Sequence, residues 1–346
     1  MSRNLVAIVS SVMFVGLAAL LMLVPVPFVT WRPGVAVDVL GATDGAPLVQ
    51  VTGLETHEAT GKLLLTTVST TRADGSIGLP EALMAYFSSD SDTLPRDAIF
   101  PPGSTGEQVH EQGVAAMDTS KDNATVAALR AAGQQVTEMP VVETVSLSGP
   151  AKDKLEPGDL IESIDGEKAT TRDDVATIVR NRPVGDPVVF KVLRGGNPQT
   201  ISVVTVADGQ SRPMVGITVG VGYRFAPEVH YNLDPGIVGP SAGLVFALAI
   251  YDKVTDGALM GETVVAGTGG MDASGRVQAI GGIRSKMAAA RKAGATVFVF
   301  PKANCADIGS APTGMLAVPV ASLKDAIATL KLLKEGQATM EVPRCE

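Results

Sequence analysis

The feature that most constrains this chain is an apolar run near its amino terminus, from Leu5 to Val24, interrupted only by two serines and one glycine. A helix of these twenty residues rises about 1.5 Å per residue and spans roughly 30 Å, the thickness of the hydrocarbon core of a bilayer. Pro25 and Pro27 mark its end, and Trp31 suits the membrane interface beyond it. The run predicts an uncleaved, membrane-spanning signal-anchor.

Two other interpretations of the run stay open. A cleaved signal peptide has an apolar core of only about 7–15 residues followed by a small-x-small cleavage site, whereas this run is longer and no convincing site follows it. A buried core helix is the third interpretation. Arg3 and the amino terminus are the only charges before the run. This favours a single-pass protein of the cell membrane with the bulk of the chain extracytoplasmic.

Composition excludes several classes of function. The 346 residues are enough for two or three domains, and 45% hydrophobic against 18% charged residues is not typical of a disordered chain. The 28 Lys+Arg and 36 Asp+Glu give a net charge of −8, whereas a nucleic-acid-binding surface is normally basic. The three histidines and two cysteines are scattered without metal-ligand spacing. We therefore expect no nucleic-acid partner, no metal and no cofactor.

The two cysteines, Cys305 and Cys345, leave two possibilities open. Outside a bacterial membrane they can form a disulfide. They can equally remain two unpaired thiols, because the sequence fixes neither their geometry nor their compartment.

Hydrophobic patterning divides the chain into four segments and predicts an α+β multidomain fold. Residues 1–29 hold the cytoplasmic tip and the transmembrane segment, and residues 30–137 form a β-rich region with helices. Residues 138–208 form a small module with strands and a Thr-capped helix from Thr171 to about Arg180. Residues 209–346 follow an alternating α/β pattern. Neither a GxxxxGK[ST] phosphate loop nor a GxGxxG after a strand occurs in the sequence, which argues against ATP hydrolysis and dinucleotide chemistry.

The segment Gly239-Pro240-Ser241-Ala242-Gly243 leads directly into an apolar helix. Ser241 lies at a helix start, where free N–H groups and the positive end of the helix dipole favour an oxyanion. A serine there can be a nucleophile beside an oxyanion hole. The same pattern also fits a serine that only caps the helix, or a small-residue loop that cradles a phosphate.

Lys286 is the candidate base for this serine. On a helix beginning at Ile283 it falls inside the apolar stripe, and burial there favours the neutral amine and lowers its pKa. The alternative is a lysine at the edge of the stripe, whose stem covers apolar surface while the amine reaches water. Thr268, within Gly267-Thr268-Gly269-Gly270, can orient the amine or serve only as a turn residue. His230 is a weaker candidate, because nothing in its setting singles it out.

Together these residues resemble the proteolytic domain of the Lon-type serine proteases. The resemblance rests on GPSAG at 239–243, GTG at 267–269, GRVQAIGGIRSK at 275–286 and the AAARKAGA and VFVFP segments that follow. It implies that Ser241 is the nucleophile and Lys286 the base of a Ser-Lys dyad, with Thr268 supporting the lysine. Lon-type domains tend to assemble as rings, so the resemblance also implies a homo-oligomer. Many members carry Asp three residues before the serine, where this chain has Val238; this leaves the dyad intact and puts in doubt any gating role of that acid.

The middle module looks like a PDZ domain, carried by LEPGDLIESIDG at 155–166. Anchor, inserted PDZ domain and Lon-type domain in this order resemble the bacterial Lon-like, PDZ-containing membrane proteases. If so, a peptide adds as a strand beside Gly133-Gln134-Gln135-Val136 and against the helix that bears Val175 and Ile178. The open alternative is a PDZ-like module used only for packing.

These observations predict an ATP-independent serine endopeptidase that cleaves extracytoplasmic or membrane-associated proteins. Gly239, Pro240 and Ala242 would support Ser241 in that reaction. Two other classes stay open: a catalytically inactive, membrane-tethered PDZ scaffold, and a phosphate-binding domain that uses the GPSAG loop.

Overall fold

The computed structural model describes residues 3–43, 45–309, 311–336 and 343–345. The chain divides into two compact units. The first joins Met1–Gly133 to Pro227–Glu346, and the second comprises Gln134–Ala226. The predicted segments 30–137 and 209–346 therefore contribute largely to one and the same unit, with the second unit inserted between them.

In the described residues up to 131, the structure has four helices and eight strands. In chain order they are α1 (Arg3–Leu23), β1 (Pro25–Val26), β2 (Phe28–Asp38), β3 (Ala42–Thr43), β4 (Ala46–Pro47), β5 (Val49–Thr52), β6 (Lys62–Thr70), β7 (Ile77–Gly78), α2 (Leu79–Phe87), β8 (Asp92–Pro95), α3 (Arg96–Ile99) and α4 (Gly106–Ala131).

The inserted unit is mostly β-structure. It contains β9 (Thr137–Val145), β10 (Leu160–Ile164), β11 (Glu167–Lys168), α5 (Arg172–Arg180), β12 (Pro187–Arg194), β13 (Asn197–Val204), β14 (Val206–Ala207), β15 (Pro213–Met214) and β16 (Ile217–Arg224). The final part, from residue 228, contains β17 (Glu228–Tyr231), α6 (Gly243–Val254), β18 (Val264–Gly267), β19 (Gly270–Met271), β20 (Val277–Gln278), α7 (Ile283–Lys292), β21 (Val297–Pro301), β22 (Leu316–Val320) and α8 (Leu323–Lys334).

The first unit is built on a six-stranded sheet in the order β22-β21-β18-β6-β2-β8. The four strands from β22 to β6 run parallel, and β2 and β8 add antiparallel at the other edge. Strand β6 comes from the amino-terminal part of the chain and β18 from the carboxy-terminal part. Neither part can complete this sheet without the other.

Helices cover both faces of the sheet. Successive side chains of a strand point to opposite faces; accordingly Leu63 and Leu65 pack with α6, while Leu64 packs with Ile283 and Met287 of α7. Parallel strands buried on both faces are typically continuous apolar runs, and every residue of β21 is buried. Helix α6, which Ser241 precedes, and helix α7, which carries Lys286, therefore pack on opposite faces of one sheet.

The inserted unit has its own core. Its main sheet runs β13-β12-β10-β9-β16, with β11 paired to β10. Helix α5 begins with a capping box formed by Thr171 and Asp174, which agrees with the Thr-capped helix predicted from the sequence. Its buried residues Val175, Ile178 and Val179 pack on Ile161, Phe190 and Val192 among other apolar residues of this unit. A separate core of this size fits an independent domain.

The predicted apolar run forms α1. Its residues Asn4–Met22 are apolar enough and long enough to cross a membrane, and none of the span is buried within the chain. A buried core helix would be covered by other elements, so the structure disagrees with that interpretation. Length and composition alone do not separate a membrane span from a signal sequence.

Candidate active site

Ser241 lies in a short 3-10 turn, Pro240–Ala242, that leads directly into α6. The preceding Gly239 has φ +102°, a left-handed conformation that favours glycine, and its N–H donates to the Gly113 carbonyl at 2.9 Å. The Ser241 side chain is half-buried, whereas Ala242 is buried beneath it. The turn thus presents the hydroxyl at the mouth of a buried helix.

Three donors fix the carbonyl groups of this turn. Ser120 Oγ donates to the Pro240 carbonyl at 3.0 Å. The Gly269 N–H and Thr268 Oγ1 donate to the Ser241 carbonyl at 2.8 and 3.1 Å. The Leu244 N–H in turn donates to the Gly269 carbonyl at 3.0 Å, so the turn and the start of α6 are both held by the segment that contains Thr268 and Gly269.

Gly243, at the first position of α6, allows the close packing that this turn needs. A Cβ atom there would lie 2.7 Å from Met271 Cβ and 2.9 Å from Ser120 Oγ. The second glycine of the GPSAG segment therefore serves helix packing rather than backbone conformation, since its φ is an ordinary helical −55°.

Lys286 lies in the middle of α7 with only 2% of its surface exposed. Its amine donates to Thr268 Oγ1 at 3.0 Å. Burial disfavours the ammonium form and lowers the pKa of Lys286 from 10.5 to about 7. The structure therefore agrees with a lysine inside the apolar stripe and not with an amine that reaches water.

One hydrogen-bonded chain connects the two candidates. It runs from Lys286 Nζ to Thr268 Oγ1, and from there to the Ser241 carbonyl. Ser241 and Lys286 also line one cavity of about 490 Å³. An amine of near-neutral pKa, a hydroxyl and the start of a helix therefore face one space large enough for a substrate side chain.

Sequence reasoning missed several residues of this site. Strand β6, with Gly34 and Val35 opposite it, lines the cavity, as does Met117 of α4. Ser120 of α4 is 3% exposed and holds the Pro240 carbonyl. These residues lie more than one hundred positions from Ser241, and no motif or spacing connects them to it. His230 is exposed on β17 beside Glu228 and does not line the cavity.

The first turn of α7 is held by β2 and by the residues that follow α2. Ser285 Oγ donates to the carbonyls of Trp31 and Asp90, at 3.2 and 2.9 Å. The Arg284 guanidinium pairs with the Asp92 carboxylate. Because Arg284 and Ser285 immediately precede Lys286, these contacts fix the helix turn that carries the amine.

A second candidate site is a groove in the inserted unit. One wall is α5, including Val175, Ala176 and Val179, and the other is the segment 213–219, which ends in β16. Strand β16 pairs with β9 on one side and lies at the edge of the sheet. Edge strands leave N–H and C=O groups free for an added strand.

The groove differs from the predicted peptide site. The sequence pattern predicts a peptide beside Gly133-Gln134-Gln135-Val136, but these residues precede β9 and are not among those that line the groove. Ile178 is not among them either, because its side chain packs into the domain core. The strand beside α5 comes instead from the carboxyl end of the unit, a connection that sequence order alone did not indicate.

Cys305 and Cys345 form a disulfide with a Cα–Cα distance of 5.4 Å. Of the two possibilities left open by the sequence, the structure has the bonded one. In the described ranges, no group of three or more His, Cys, Asp or Glu side chains is arranged to hold a metal ion.

Comparison with known proteins assigns both domains. Residues 226–330 match the Lon protease (S16) C-terminal proteolytic domain, and residues 115–205 match the PDZ domain. The Lon protease of Clostridioides difficile is 33% identical over 116 residues, which cover 32% of this chain and 14% of that protein. Lon protease 1 of Herpetosiphon aurantiacus is 35% identical over 107 residues, or 30% and 13% of the two chains. The match thus spans about a seventh of those proteases.

Among solved structures, the PDZ domain of the SdrC-like protein from Listeria innocua is 29% identical, covering 23% of this chain and 92% of that domain with a TM-score of 0.23. The chain is a mixed α/β protein that contains a domain similar to the Lon proteolytic domain. It combines this Lon (S16) C-terminal proteolytic domain with a PDZ domain. Ser241, Thr268 and Lys286 all lie within the residues matched to the proteolytic domain.

Proposed function

We propose that the chain is a membrane-anchored serine endopeptidase that uses Ser241 as nucleophile and Lys286 as general base and needs no nucleotide. The observation that carries this proposal is the buried Lys286 amine, whose pKa of about 7 leaves much of it neutral at physiological pH. That amine shares a cavity with a hydroxyl at the start of a helix. A nucleophile beside a base of near-neutral pKa is the arrangement that acyl transfer requires.

The reaction proceeds through two acyl-transfer steps. Neutral Lys286 Nζ takes the proton from Ser241 Oγ as the oxygen attacks the scissile carbonyl. The N–H groups of the Ser241 turn and the start of α6, other than that of Leu244, which donates to the Gly269 carbonyl at 3.0 Å, stabilise the tetrahedral oxyanion, a role worth about 3–4 kcal/mol per donor in related enzymes. The Lys286 ammonium then protonates the leaving amine, and a water molecule, deprotonated by the same lysine, hydrolyses the acyl-enzyme.

The residues around Ser241 position it for this reaction. Gly239 supplies the left-handed conformation before the turn, Pro240 presents its carbonyl to Ser120, and Ala242 packs into the core. Thr268 holds the amine and the Ser241 carbonyl together. It is a positioning residue in this scheme.

The proposal that nucleotide is not needed rests on the sequence, in which no phosphate loop occurs. We expect peptide hydrolysis by the purified chain at the same rate with and without ATP and Mg²⁺. A rate that depends on ATP would contradict this part of the proposal.

Membrane anchoring rests on α1 and on the disulfide. The uncovered apolar helix has the length of a bilayer core. A disulfide between Cys305 and Cys345 fits an oxidising compartment, which agrees with the bulk of the chain lying outside the cytoplasm. By resemblance to Lon-type domains, we also propose assembly into a homo-oligomeric ring.

We propose that the PDZ groove recruits the substrate. An extended peptide would add to the edge of β16 while a side chain enters the apolar space beside Val175 and Val179 of α5. The partners are therefore proteins or peptides.

Active-site labelling separates the peptidase from a catalytically inactive scaffold. A peptidyl diphenyl phosphonate should phosphonylate wild-type protein at Ser241, with Oγ attacking phosphorus and phenol leaving, and should not label Ser241→Ala, because only an activated hydroxyl attacks such probes. Ser241→Ala should also lack peptidase activity while it retains the wild-type circular dichroism spectrum. If wild type and Ser241→Ala are equally unlabelled and equally inactive, the scaffold function replaces the peptidase.

A further inference from the structure

Helix α2 (Leu79–Phe87) buries small residues and exposes large apolar ones, the reverse of a typical surface helix of a soluble protein. Its small residues Ala82 and Ala85 are buried against the fold. Its large apolar residues face outward, with exposed fractions of 47% for Leu83, 76% for Met84 and 80% for Phe87. A surface helix normally buries its large apolar side chains, and exposed apolar clusters of this kind mark an interaction surface.

This helix begins beside the end of the membrane-spanning segment. Strands β1 and β7 pair Pro25 with Gly78 and Val26 with Ile77, and this pairing places the start of α2 beside the end of α1 in space. A Cβ atom on Gly78 would lie 3.1 Å from the Met22 carbonyl oxygen. The end of α1 and the start of α2 therefore lie at the same depth.

The apolar surfaces of the two helices are continuous. Ala18, Leu21 and Met22 of α1 line one apolar depression together with residues of α2, namely Leu79, Pro80, Leu83 and Met84. A surface that is continuous with a membrane span and lies at its end faces the boundary between acyl chains and headgroups.

The chemistry of the exposed side favours this boundary. Tyr86 is 68% exposed and its ring contacts the Phe87 ring edge to face at 5.3 Å. Aromatic side chains concentrate at the level of the lipid headgroups. The one charged residue of α2 is Glu81, which pairs with Arg32, so attraction to anionic lipid does not contribute. Contact with the bilayer would be apolar and independent of lipid charge.

We infer that α2 is a second membrane element, an interfacial helix that lies in the outer headgroup layer with Leu83, Met84, Tyr86 and Phe87 in contact with lipid. This inference rests on the proposed anchoring by α1. Asp90 and Asp92, just after α2, hold Ser285 and Arg284 of α7. Contact of α2 with lipid therefore also keeps α7, the helix that carries Lys286, close to the bilayer surface. The substrates reached most readily are then the membrane-proximal segments of membrane-bound proteins.

Quenching of tryptophan fluorescence by brominated lipid tests this inference on the full chain. The sequence has one tryptophan, Trp31, so the wild-type protein in zwitterionic phosphatidylcholine vesicles supplies the background. Phe87→Trp reports on α2, Phe14→Trp on α1, and Lys324→Trp serves as the matched control. Lys324 is exposed on α8, which packs on α4, α6 and β22.

We expect the added emission of Phe87→Trp to be blue-shifted and quenched by lipid brominated near the headgroup, and that of Lys324→Trp to remain unquenched. Quenching of Phe14→Trp without quenching of Phe87→Trp would overturn the inference and leave the anchor intact. If Phe14→Trp is unquenched as well, the anchoring itself fails. If the emission of Phe87→Trp is blue-shifted only at high protein density in the vesicles and is not quenched by brominated lipid, the surface contacts a second copy of the chain. That result also overturns the inference.

Discussion

The Lys286 amine is buried away from water, and it donates a hydrogen bond to the Thr268 hydroxyl. Its hydrogen bond to Thr268 and its exposure of 2% leave the ammonium form poorly solvated, which is why its pKa lies near 7 rather than 10.5. A neutral amine at physiological pH can accept the Ser241 proton without help from a histidine or a carboxylate. Burial therefore makes the neutral, proton-accepting amine available at physiological pH, and Thr268 orients it.

Thr268 gives the first prediction at the residue scale. Thr268→Val keeps the shape and removes both hydrogen bonds of the hydroxyl, so kcat should fall roughly 10- to 100-fold from misplacement alone. The hydroxyl also accepts from the ammonium form. Without it, the midpoint of the pH–rate profile should move to lower pH. Thr268→Ser should restore both the rate and the midpoint, whereas a valine variant with an unshifted midpoint would contradict the positioning role.

Burial of Lys286 also has a cost in stability, which gives the second prediction. The folded pKa of about 7 lies below the unfolded value of 10.5, so between these pH values the unfolded chain binds the extra proton and stability rises with pH. The cost is complete below pH 7 and disappears above about pH 10.5. Lys286→Met should therefore be inactive yet more stable, by an amount on the order of a few kcal/mol below neutral pH.

The measurement is thermal unfolding of both proteins at pH about 6 and about 9.5, with the gain in melting temperature smaller at the higher pH. A gain that is equal at both values, or a loss, would show that the amine is not buried as described.

At the scale of elements, the PDZ groove can be separated from the catalytic cavity. Ala176 of α5 lines the groove and is half-buried, while its neighbour Thr177 is exposed and does not line it. Ala176→Glu places a charge where an apolar peptide side chain would lie. We expect the KM for a protein substrate to rise by roughly 10-fold or more, with unchanged hydrolysis of a short peptide.

Thr177→Glu adds the same charge one position away and should leave both activities unchanged. Equal effects of the two substitutions would mean that the groove does not recruit substrate.

The elements also show how far the sequence could lead. The apolar run, the Thr-capped helix and the lysine within an apolar stripe are local patterns, and the structure contains α1, α5 and the buried Lys286 accordingly. The strand that faces α5 could not be predicted, because β16 lies some forty residues after that helix and reaches it only through sheet pairing with β9. The hydrogen bond from Ser120 Oγ to the Pro240 carbonyl is likewise a tertiary contact, and no local sequence pattern predicts it.

At the scale of the whole molecule, the catalytic sheet joins distant parts of the chain. Strand β6 precedes the inserted unit in sequence and pairs with β18, which follows it. The cavity wall at 66–70 and Ser241 therefore come from opposite sides of the PDZ domain in sequence. The sequence pattern predicts residues 30–137 as a separate region, because alternating apolar and polar residues identify strands but not their partners. Local motifs predict Ser241 and Lys286 as site residues, whereas the enclosure of the cavity depends on long-range strand pairing.

The pH dependence of Ser241 acylation tests the central claim most directly. We predict that kcat/KM for a short peptide ester or amide rises with pH through an apparent pKa of about 7 and then levels off, because the neutral amine is the active form. Lys286→Met should show no such rise and no measurable acylation. A wild-type profile that is flat from pH about 5 to 9, or a Lys286→Met protein that still acylates at the wild-type rate, would contradict the account.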